Sequence, residues 1–289
     1  MVGQGGWPVD WLRPDWPAPP QVRALCTTRA GGCSHAPWDS FNLGDHVGDD
    51  PRHVAMNRGE LRCLTGAQPV FLQQVHGTVA VALNADTPDG TVADAAHATQ
   101  PGLACTIMVA DCLPILLTDV TGSWVAAVHA GWRGLAGAGQ GAARLSVLQQ
   151  TLRSKRVFAG TGQALDATKN GANELLAWLG PCIGPTHFEV GPEVREAFLA
   201  LDAKAARCFQ AIGGQKYLAD LAALARQQLL AEGVSRIHGN DSTPLWCTVS
   251  QPQRFFSYRR DQAAQGGSGR MAACIWLDQP DAKPPSNCA

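Results

Sequence analysis

The chain has 289 residues, 45% of them hydrophobic, and a formal net charge of −1. A chain of this length and composition can bury a sizeable core. The balanced charge argues against bulk binding to nucleic acid or to an anionic membrane, because no field of one sign covers the protein. No apolar stretch approaches the roughly 20 residues needed to cross a bilayer, and no secretory leader opens the sequence. We therefore expect a cytoplasmic protein whose ten cysteines are reduced.

Strands and helices alternate in the predicted order of elements. Residues 1–20 are rich in Trp and Pro, which predicts an extended N-terminal arm. A strand is expected from Val22 and a helix from Pro51 to Thr65, because Pro is tolerated at the first helical position. Later strands are predicted from the apolar runs in PVFLQQVHG, VAVAL, LACTIMVADCLPILLTD (two strands), WVAAVHAGWRG, AWLGPCIG, RIHG and MAACIWL.

Three further helices complete the predicted order. They are Ala138 to Leu152, PEVREAFLAL and YLADLAALARQQLLAEGV, the last of which ends at Gly233. Interleaved helices and buried strands predict the α/β class, as a layered α/β/α single domain with a mixed sheet over residues 21–278. Residues 153–173 are interpreted as a surface insertion and residues 279–289 as a flexible tail.

Three segments share a pattern in which an apolar strand reaches a turn that carries a candidate metal ligand. They are QQVHG with His76, VADCLPI with Cys112 and AAVHAGWRG with His129. Two imidazoles and a thiolate suit Zn²⁺ and would leave a fourth position open, as in a catalytic site. By spacing alone, a His at a strand end is more often a surface or core residue than a ligand, and Cys112 is more often a buried hydrophobe, since no short signature such as HExxH or CxxC is present.

Several motifs in one order resemble the laccase-domain family, which is YfiH-like and is also called the multicopper polyphenol oxidase family. The segments are QQVHG, ADCLPILL, AAVHAGWRG, AWLGPCIGPTHFEVG, DLAALARQQL and FFSYRRD with GRMA. Members have been called polyphenol oxidases, purine nucleoside phosphorylases and peptidoglycan editing factors. The resemblance runs over nearly the whole chain and implies a metal site formed by His76, Cys112 and His129, with zinc expected rather than copper.

The same motifs imply further site residues. Catalytic roles are expected for His46, Asp94 and Arg133, with His46 as the candidate for proton transfer. Binding of substrate or phosphate is expected from Arg29, Asn42 and Arg58, since the guanidinium fork suits bidentate phosphate binding. Asp111, next to Cys112, is a candidate acceptor for a metal-bound imidazole, or it only caps its turn.

The activity implied by the resemblance is zinc-dependent purine nucleoside phosphorolysis. Adenosine, inosine, guanosine or methylthioadenosine would react with phosphate to give the base and ribose 1-phosphate, with deamination of adenosine as a side activity. The expected partners are a small-molecule nucleoside and phosphate, without nucleic acid or membrane. A monomer or weak homodimer is expected.

Three alternatives remain open at this stage. A peptidoglycan-precursor editing amidase would use the same metal site to activate water. A copper polyphenol oxidase, or laccase, needs several coppers and many ordered His ligands, whereas only eight histidines are present. A metal-binding module without catalysis fits poorly with three ligands and an open position.

Overall fold

The fold is described by a computed structural model over residues 7–138, 144–158 and 175–278, which contain thirteen strands and six α-helices. The strands are β1 (Val22–Cys26), β2 (Gln68–Phe71), β3 (Ala80–Ala82), β4 (Ala95–Ala98), β5 (Leu103–Val109), β6 (Leu113–Asp119), β7 (Val125–Ala130), β8 (Leu175–Leu179), β9 (Glu189–Val190), β10 (Phe209–Gly213), β11 (Lys216–Ala219), β12 (Arg236–Gly239) and β13 (Met271–Leu277). The helices are α1 (Pro51–Thr65), α2 (Trp132–Ala136), α3 (Val147–Phe158), α4 (Pro192–Leu199), α5 (Leu221–Ala231) and α6 (Tyr258–Gln265).

The strands form two larger mixed sheets and one small sheet. The four-stranded sheet has the order β1-β13-β5-β2, in which only the pair β2–β5 is parallel. Strand β13, the last strand of the described residues, lies between β1 and β5. The six-stranded sheet has the order β12-β8-β6-β7-β4-β3, with parallel pairs at its two edges and antiparallel pairs between them. The small sheet has the order β10-β11-β9.

The two larger sheets pack face to face. Alternate residues of the strands meet in one buried cluster, with Cys105 and Ile275 from the four-stranded sheet and Leu116, Ala127 and Trp178 from the six-stranded sheet. Side chains two residues apart point to the same face of a strand, so the intervening residues line the outer faces. The two-residue alternation thus gives each central strand two buried faces, which explains why these strands are apolar throughout.

Helices cover the outer faces of the two sheets. Helices α2 to α5 pack on the six-stranded sheet, and the N-terminal arm covers the four-stranded sheet with Trp7 and Trp11. Helix α1 contributes Leu61 to that second layer. The layered α/β fold expected from the sequence is confirmed, with two stacked mixed sheets at its centre.

Helix α1 has the bounds that the sequence predicts. The side chain of Asp50 accepts a hydrogen bond from the Arg52 N–H, Pro51 is the first helical residue, and Gly66 ends the helix with a φ of 66°. A side-chain N-cap, an N-terminal Pro and a left-handed Gly are local signals, so the prediction did not depend on tertiary contacts.

Two predicted helices begin later than expected. Helix α3 begins at Val147 instead of Ala138, because Ala138 and Leu145 exchange backbone hydrogen bonds in both directions. Residues 153–158 of the predicted insertion are part of α3, and residues 159–173 lie outside the described residues. Helix α5 begins at Leu221, where Asp220 provides its N-cap. The preceding residues Lys216–Ala219 form β11, so they pair as a strand instead of extending the helix.

The predicted tail, residues 279–289, lies outside the described residues. Among the described residues, no helix has the length and apolar character that crossing a bilayer requires. Among the described residues, eight cysteines are free thiols, as predicted, whereas Cys63 is bonded in a disulfide. The prediction that all ten cysteines are reduced is therefore wrong at Cys63.

Candidate metal centre

Three candidate ligands from distant parts of the chain meet in one place. The ligand atoms of His76, Cys112 and His129 all lie within 4.8 Å of one another. The Nε2 atom of His76 is 3.6 Å from Sγ of Cys112, and the two imidazole ring centres are 4.8 Å apart. Within residues 7–138, 144–158 and 175–278, no other group of three His, Cys, Asp or Glu side chains meets the same criterion. We call these three residues the triad.

Each residue of the triad stands near the end of a strand. His76 follows β2 after a short loop, Cys112 lies in the link between β5 and β6, and His129 is near the end of β7, opposite Pro114 of β6. Strands β2 and β5 belong to the four-stranded sheet, and β6 and β7 belong to the six-stranded sheet. The triad therefore lies where the two sheets come together, and both sheets position it.

Two backbone positions in or beside the triad adopt the left-handed conformation. The φ angle is 59° at His76 and 91° at Asp111. This conformation costs a non-glycine residue about 1–2 kcal/mol, so surrounding contacts must hold it in place. At Asp111, Oδ1 accepts a hydrogen bond from the Thr248 hydroxyl and Oδ2 accepts one from the Arg259 N–H, both at 2.6 Å. These bonds fix the turn that presents Cys112.

A single buried carboxylate, that of Asp94, supports both histidines. Its Oδ1 lies 2.8 Å from Nδ1 of His129 and accepts the backbone N–H of His76 at 2.9 Å. Its Oδ2 accepts the N–H groups of Gly77 at 2.6 Å and Val75 at 3.3 Å. A carboxylate that accepts a hydrogen bond from Nδ1–H fixes the imidazole tautomer and leaves Nε2 free as a ligand. Asp94 thus orients the ring of His129 and holds the strained turn of His76.

The charges in the triad favour a thiolate beside an imidazolium in the absence of a metal ion. Burial raises the pKa of Cys112, but the neighbouring His129 and His76 lower it to about 6 overall. Burial lowers the pKa of His129, but the Cys112 thiolate and the Asp94 carboxylate raise it to about 9 overall. Burial likewise raises the pKa of Asp94, and hydrogen bonds from His129 and backbone N–H groups bring it below its ordinary value. A cation in place of the imidazolium proton would satisfy the same thiolate.

Gly131 leaves the room that the triad occupies. A Cβ atom added at this position would lie 3.0 Å from Cδ2 of His76 and 3.1 Å from Sγ of Cys112. Its φ of −71° is ordinary for any residue, so the requirement for glycine here is one of space and not of backbone conformation. The Gly in the HAGWRG segment is therefore explained by close approach to two ligands.

The donor set and its surroundings fit a metal ion of borderline softness. Two imidazoles and a thiolate are suitable ligands for zinc, and the carboxylate behind His129 is the usual second support of a metal-bound imidazole. His129 is buried, Cys112 is half-buried and His76 is exposed, so the triad is open on one side. A site with three protein ligands and one open side is typical of catalytic centres.

The open side faces a cavity of about 480 Å³. Its wall combines apolar and aromatic side chains with several cationic ones, a composition typical of small-molecule sites. It is lined by His46, Gln74, His76, Met108, Ala110, Asp111, Cys112, His129, Trp132, Arg133, Ile183, Phe188, Leu221, Tyr258, Arg259 and Arg270. We call this the triad cavity.

Two of the predicted catalytic residues, Arg133 and His46, line the triad cavity. The guanidinium of Arg133 lies 4.5 Å from the centre of the Trp132 ring. The imidazole of His46 is exposed, and its Nδ1 is 3.4 Å from Oδ1 of Asp45. Both side chains are therefore placed to contact a molecule bound beside the triad.

The three predicted binding residues do not line this cavity. Arg29 donates hydrogen bonds to the carbonyl groups of Asp39 and Pro252 and lines a separate cavity. Arg58 donates to the Leu43 carbonyl group and stacks on a phenylalanine ring. Asn42 is buried, and its Oδ1 accepts a hydrogen bond from the Arg270 N–H.

Of the two roles left open for Asp111, the structure shows the one in which it fixes its own turn, and the carboxylate that supports an imidazole is that of Asp94, which was expected to be catalytic. Asp111 binds Thr248 and the backbone of Arg259, whereas the imidazole of His129 is held by Asp94. Cavity residues such as Phe188 and Tyr258 carried no prediction, although both lie in segments that resemble the family.

Comparison with known proteins gives consistent results. The model of the family described as multi-copper polyphenol oxidoreductase laccase matches residues 23–278. The chain is 47% identical to a protein of Pseudomonas aeruginosa named purine nucleoside phosphorylase PA4543, over 92% of this chain and 98% of that protein. It is 46% identical to the protein of Escherichia coli named purine nucleoside phosphorylase YfiH, over 91% and 97% of the two chains.

Solved structures show the same relationship. The crystal structure of the Neisseria meningitidis protein NMB0706 superposes with a TM-score of 0.75 at 42% identity, covering 93% of this chain and all of that one. The structure of YlmD from Geobacillus stearothermophilus also gives a TM-score of 0.75, at 27% identity and with coverage of 93% and 96%. The triad therefore lies within a fold and sequence pattern shared with these proteins, and the chain belongs to the multi-copper polyphenol oxidoreductase laccase family.

Proposed function

We propose that this protein is a zinc-dependent purine nucleoside phosphorylase. It would convert adenosine, inosine, guanosine or methylthioadenosine and phosphate to the free base and ribose 1-phosphate, with deamination of adenosine as a side activity. The observation that carries this proposal is the opening of the triad into a cavity whose wall holds both aromatic rings and arginines. The names of the Pseudomonas and Escherichia relatives support the choice of substrate.

Zinc is proposed as the metal, held by His76, Cys112 and His129. When bound, it would supply Lewis acidity to a polar group of the substrate at the open side of the triad. The chain's own contribution is to keep Cys112 as a thiolate and to orient the imidazole of His129 through Asp94. We therefore assign Asp94, expected to be catalytic, a positioning role.

The cavity wall divides into parts suited to the two substrates. Trp132, Phe188 and Tyr258 offer rings against which a purine can pack. Arginines on the same wall offer charge-assisted hydrogen bonds to phosphate oxygens. A nucleoside and phosphate bound together would be held in the geometry for displacement at the sugar carbon.

The reaction breaks the bond between the sugar carbon and the base nitrogen, and it forms a bond from that carbon to a phosphate oxygen. The departing base takes up a proton. We propose that His46 delivers it, because His46 lines the triad cavity and its Nε2 is not the nitrogen that faces Asp45. Arg133 would balance negative charge on the entering phosphate.

The test is incubation of zinc-loaded protein with adenosine, with and without phosphate, followed by chromatography of the products. Adenine and ribose 1-phosphate are expected only with phosphate, and neither is expected from the His129→Ala variant. Inosine formed without phosphate would identify the deaminase activity. If no purine product forms under any condition, the nucleoside proposal is wrong, and hydrolysis of a peptidoglycan-precursor amide becomes the activity to test.

A further inference from the structure

We infer that Arg270 is the residue that binds the phosphate cosubstrate, and that Asn42 and Gly44 position it. This inference rests on the proposed phosphorolysis and assigns one of its substrates to one side chain. Asn42, which the sequence indicates as a direct contact of the substrate, is given the role of positioning Arg270 instead. The argument begins with the three arginines of the triad cavity, which differ in how their donors are used.

The guanidinium of Arg259 is engaged in hydrogen bonds to backbone carbonyl groups. Its Nη1 donates to the carbonyl group of His187 at 3.2 Å, and its Nη2 donates to that of Glu189 at 3.3 Å. Arg133 is exposed and lies against the ring of Trp132, and within the described residues its guanidinium makes no hydrogen bond or ion pair. A long exposed side chain loses rotamer freedom on binding, so Arg133 can contribute charge beside a bound phosphate but is not preorganised to hold it.

Arg270 is both anchored and incompletely used. Its Nη1 donates to the carbonyl groups of Ser268 at 2.8 Å and Gly269 at 3.0 Å. In the part of the chain that the structure describes, its Nε and Nη2 have no hydrogen-bond partner. Arg270 lines the triad cavity, and neither of these two donors is buried away from solvent. Two adjacent N–H donors on one guanidinium match two oxygens of a phosphate.

The charge of Arg270 also lacks a direct counterion. No carboxylate of the described residues lies within ion-pair distance of its guanidinium, and both oxygens of nearby Asp111 already accept hydrogen bonds. Burial lowers the pKa of Arg270, while the charges of Cys112 and Asp111 act in the opposite direction. A half-buried cation without a paired anion is costly, so an anion that enters the cavity gains a preformed partner beside the triad.

The loop of residues 42–44 holds Arg270 from behind. Oδ1 of Asn42 accepts the Arg270 N–H at 2.8 Å and the Gly44 N–H at 2.9 Å. The Leu43 N–H in turn donates to the Arg270 carbonyl group at 3.0 Å. One buried amide therefore fixes the backbone of Arg270 against a loop far away in the sequence.

Gly44 is the point at which the loop touches the arginine side chain. A Cβ atom added to Gly44 would lie 2.7 Å from Cγ and 3.2 Å from Cβ of Arg270. The first distance is too short for any real contact, so an alanine at this position must displace the stem of Arg270. The structure thus offers a variant that moves the guanidinium without removing it.

The experiment measures the KM for phosphate and the KM for adenosine separately in the zinc-loaded protein. The variants are Arg270→Gln, Arg270→Lys and Gly44→Ala, and the control is Arg52→Gln. Arg52 is an exposed residue of α1, so its replacement makes the same change in net charge away from the cavity. Thermal melting establishes that each variant is folded.

Arg270→Gln is expected to raise the KM for phosphate about 10- to 100-fold, with the KM for adenosine changed less than about threefold. Arg270→Lys should give an intermediate value, because it keeps the charge but not the fork. Gly44→Ala should raise the KM for phosphate although Arg270 is intact, and Arg52→Gln should change neither value. An unchanged KM for phosphate in Arg270→Gln, or a rise confined to adenosine, would overturn the inference.

Direct binding separates this inference from the proposed function. Calorimetric titration of the zinc-loaded protein with inorganic phosphate requires no turnover. Binding to the original protein that is lost in Arg270→Gln would support the anion site even if no nucleoside were cleaved. Failure of the original protein to bind phosphate, or equal binding by Arg270→Gln, would reject the site whatever activity the protein has.

Discussion

Asp94 and His129 are joined twice. The backbone N–H of His129 donates to the Asp94 carbonyl group at 2.8 Å, and the two side chains meet at 2.8 Å through Nδ1 and Oδ1. The pairing of β4 with β7 brings the two residues side by side, although they are 35 positions apart. The sheet register thus places the Asp94 carboxylate beside the His129 imidazole. The first prediction tests this contact.

The Asp94→Asn variant should bind zinc about 10- to 100-fold more weakly. An amide cannot accept all the hydrogen bonds that His129, His76, Gly77 and Val75 direct at this carboxylate. Competition with a coloured chelator measures the affinity. Asp119→Asn is the matched control, because Asp119 is another buried, hydrogen-bonded aspartate remote from the triad. Equal zinc affinity in Asp94→Asn and the original protein would contradict the proposal that Asp94 supports zinc binding.

Gly131→Ala should weaken zinc binding by about tenfold or more while the fold is retained. The added methyl group would lie about 3 Å from atoms of both His76 and Cys112, and metal sites tolerate displacements of only about 0.5 Å. Gly59→Ala is the control: Gly59 lies within α1, and an added Cβ atom there meets nothing within 4 Å. It should stabilise the protein by about 0.5–1 kcal/mol without changing zinc affinity. Parallel effects of the two substitutions on zinc binding would contradict this account of Gly131.

The stability contributed by Asp119 should depend on pH. Burial raises the pKa of this carboxyl group, but hydrogen bonds from Lys155 and Ser123 lower it below its ordinary value overall. A lowered pKa in the folded state means that the stabilisation is present above the unfolded pKa of about 4 and is lost as the pH falls through the folded pKa. Asp119→Asn should therefore lower the free energy of unfolding by about 1–3 kcal/mol at pH 7.

Urea unfolding at pH 7 and at pH 3 measures this difference. The gap between the original protein and Asp119→Asn should narrow at the lower pH, because below its pKa of about 4 the carboxyl group of the unfolded chain binds a proton more readily than the folded one does. A gap that stays constant, or one that widens on acidification, would show that the bond to Lys155 is not the source of the stability.

Removal of zinc with a chelator should lower the melting temperature of the original protein, since a ligand that binds only the folded state stabilises it. Cys112→Ser replaces the thiolate by a poor zinc ligand, so its melting temperature should be insensitive to the chelator. The measurement is thermal melting with and without chelator, with zinc content determined in parallel. A chelator effect of equal size in both proteins would place the stabilising ion somewhere other than the triad.

Features encoded locally could be predicted from the sequence. The bounds of α1 follow from Asp50, Pro51 and Gly66, which act within one turn of the helix ends. The start of α3 could not be predicted in this way, because only the folded chain shows that Ala138 and Leu145 exchange backbone hydrogen bonds.

The candidate site shows the same division. The triad was identified through motifs that resemble the family, whereas spacing alone gave no reason to bring His76 to Cys112. Proximity in sequence left Asp111 open as either the support of an imidazole or the cap of its turn, and the strand register supplies Asp94 as the support. The bond between Asn42 and Arg270 spans 228 positions, and only the folded chain shows it.

The position of β13 has a consequence for the synthesis of the protein. All three residues of the triad have been translated once the ribosome passes His129, yet the strand on which both β1 and β5 pair is made only at residues 271–277. A nascent chain therefore carries every ligand long before it has the completed sheet that orients His76 and the turn before Cys112. We therefore expect a metal ion to be bound stably by the triad only after β13 has left the ribosome and has paired with β1 and β5.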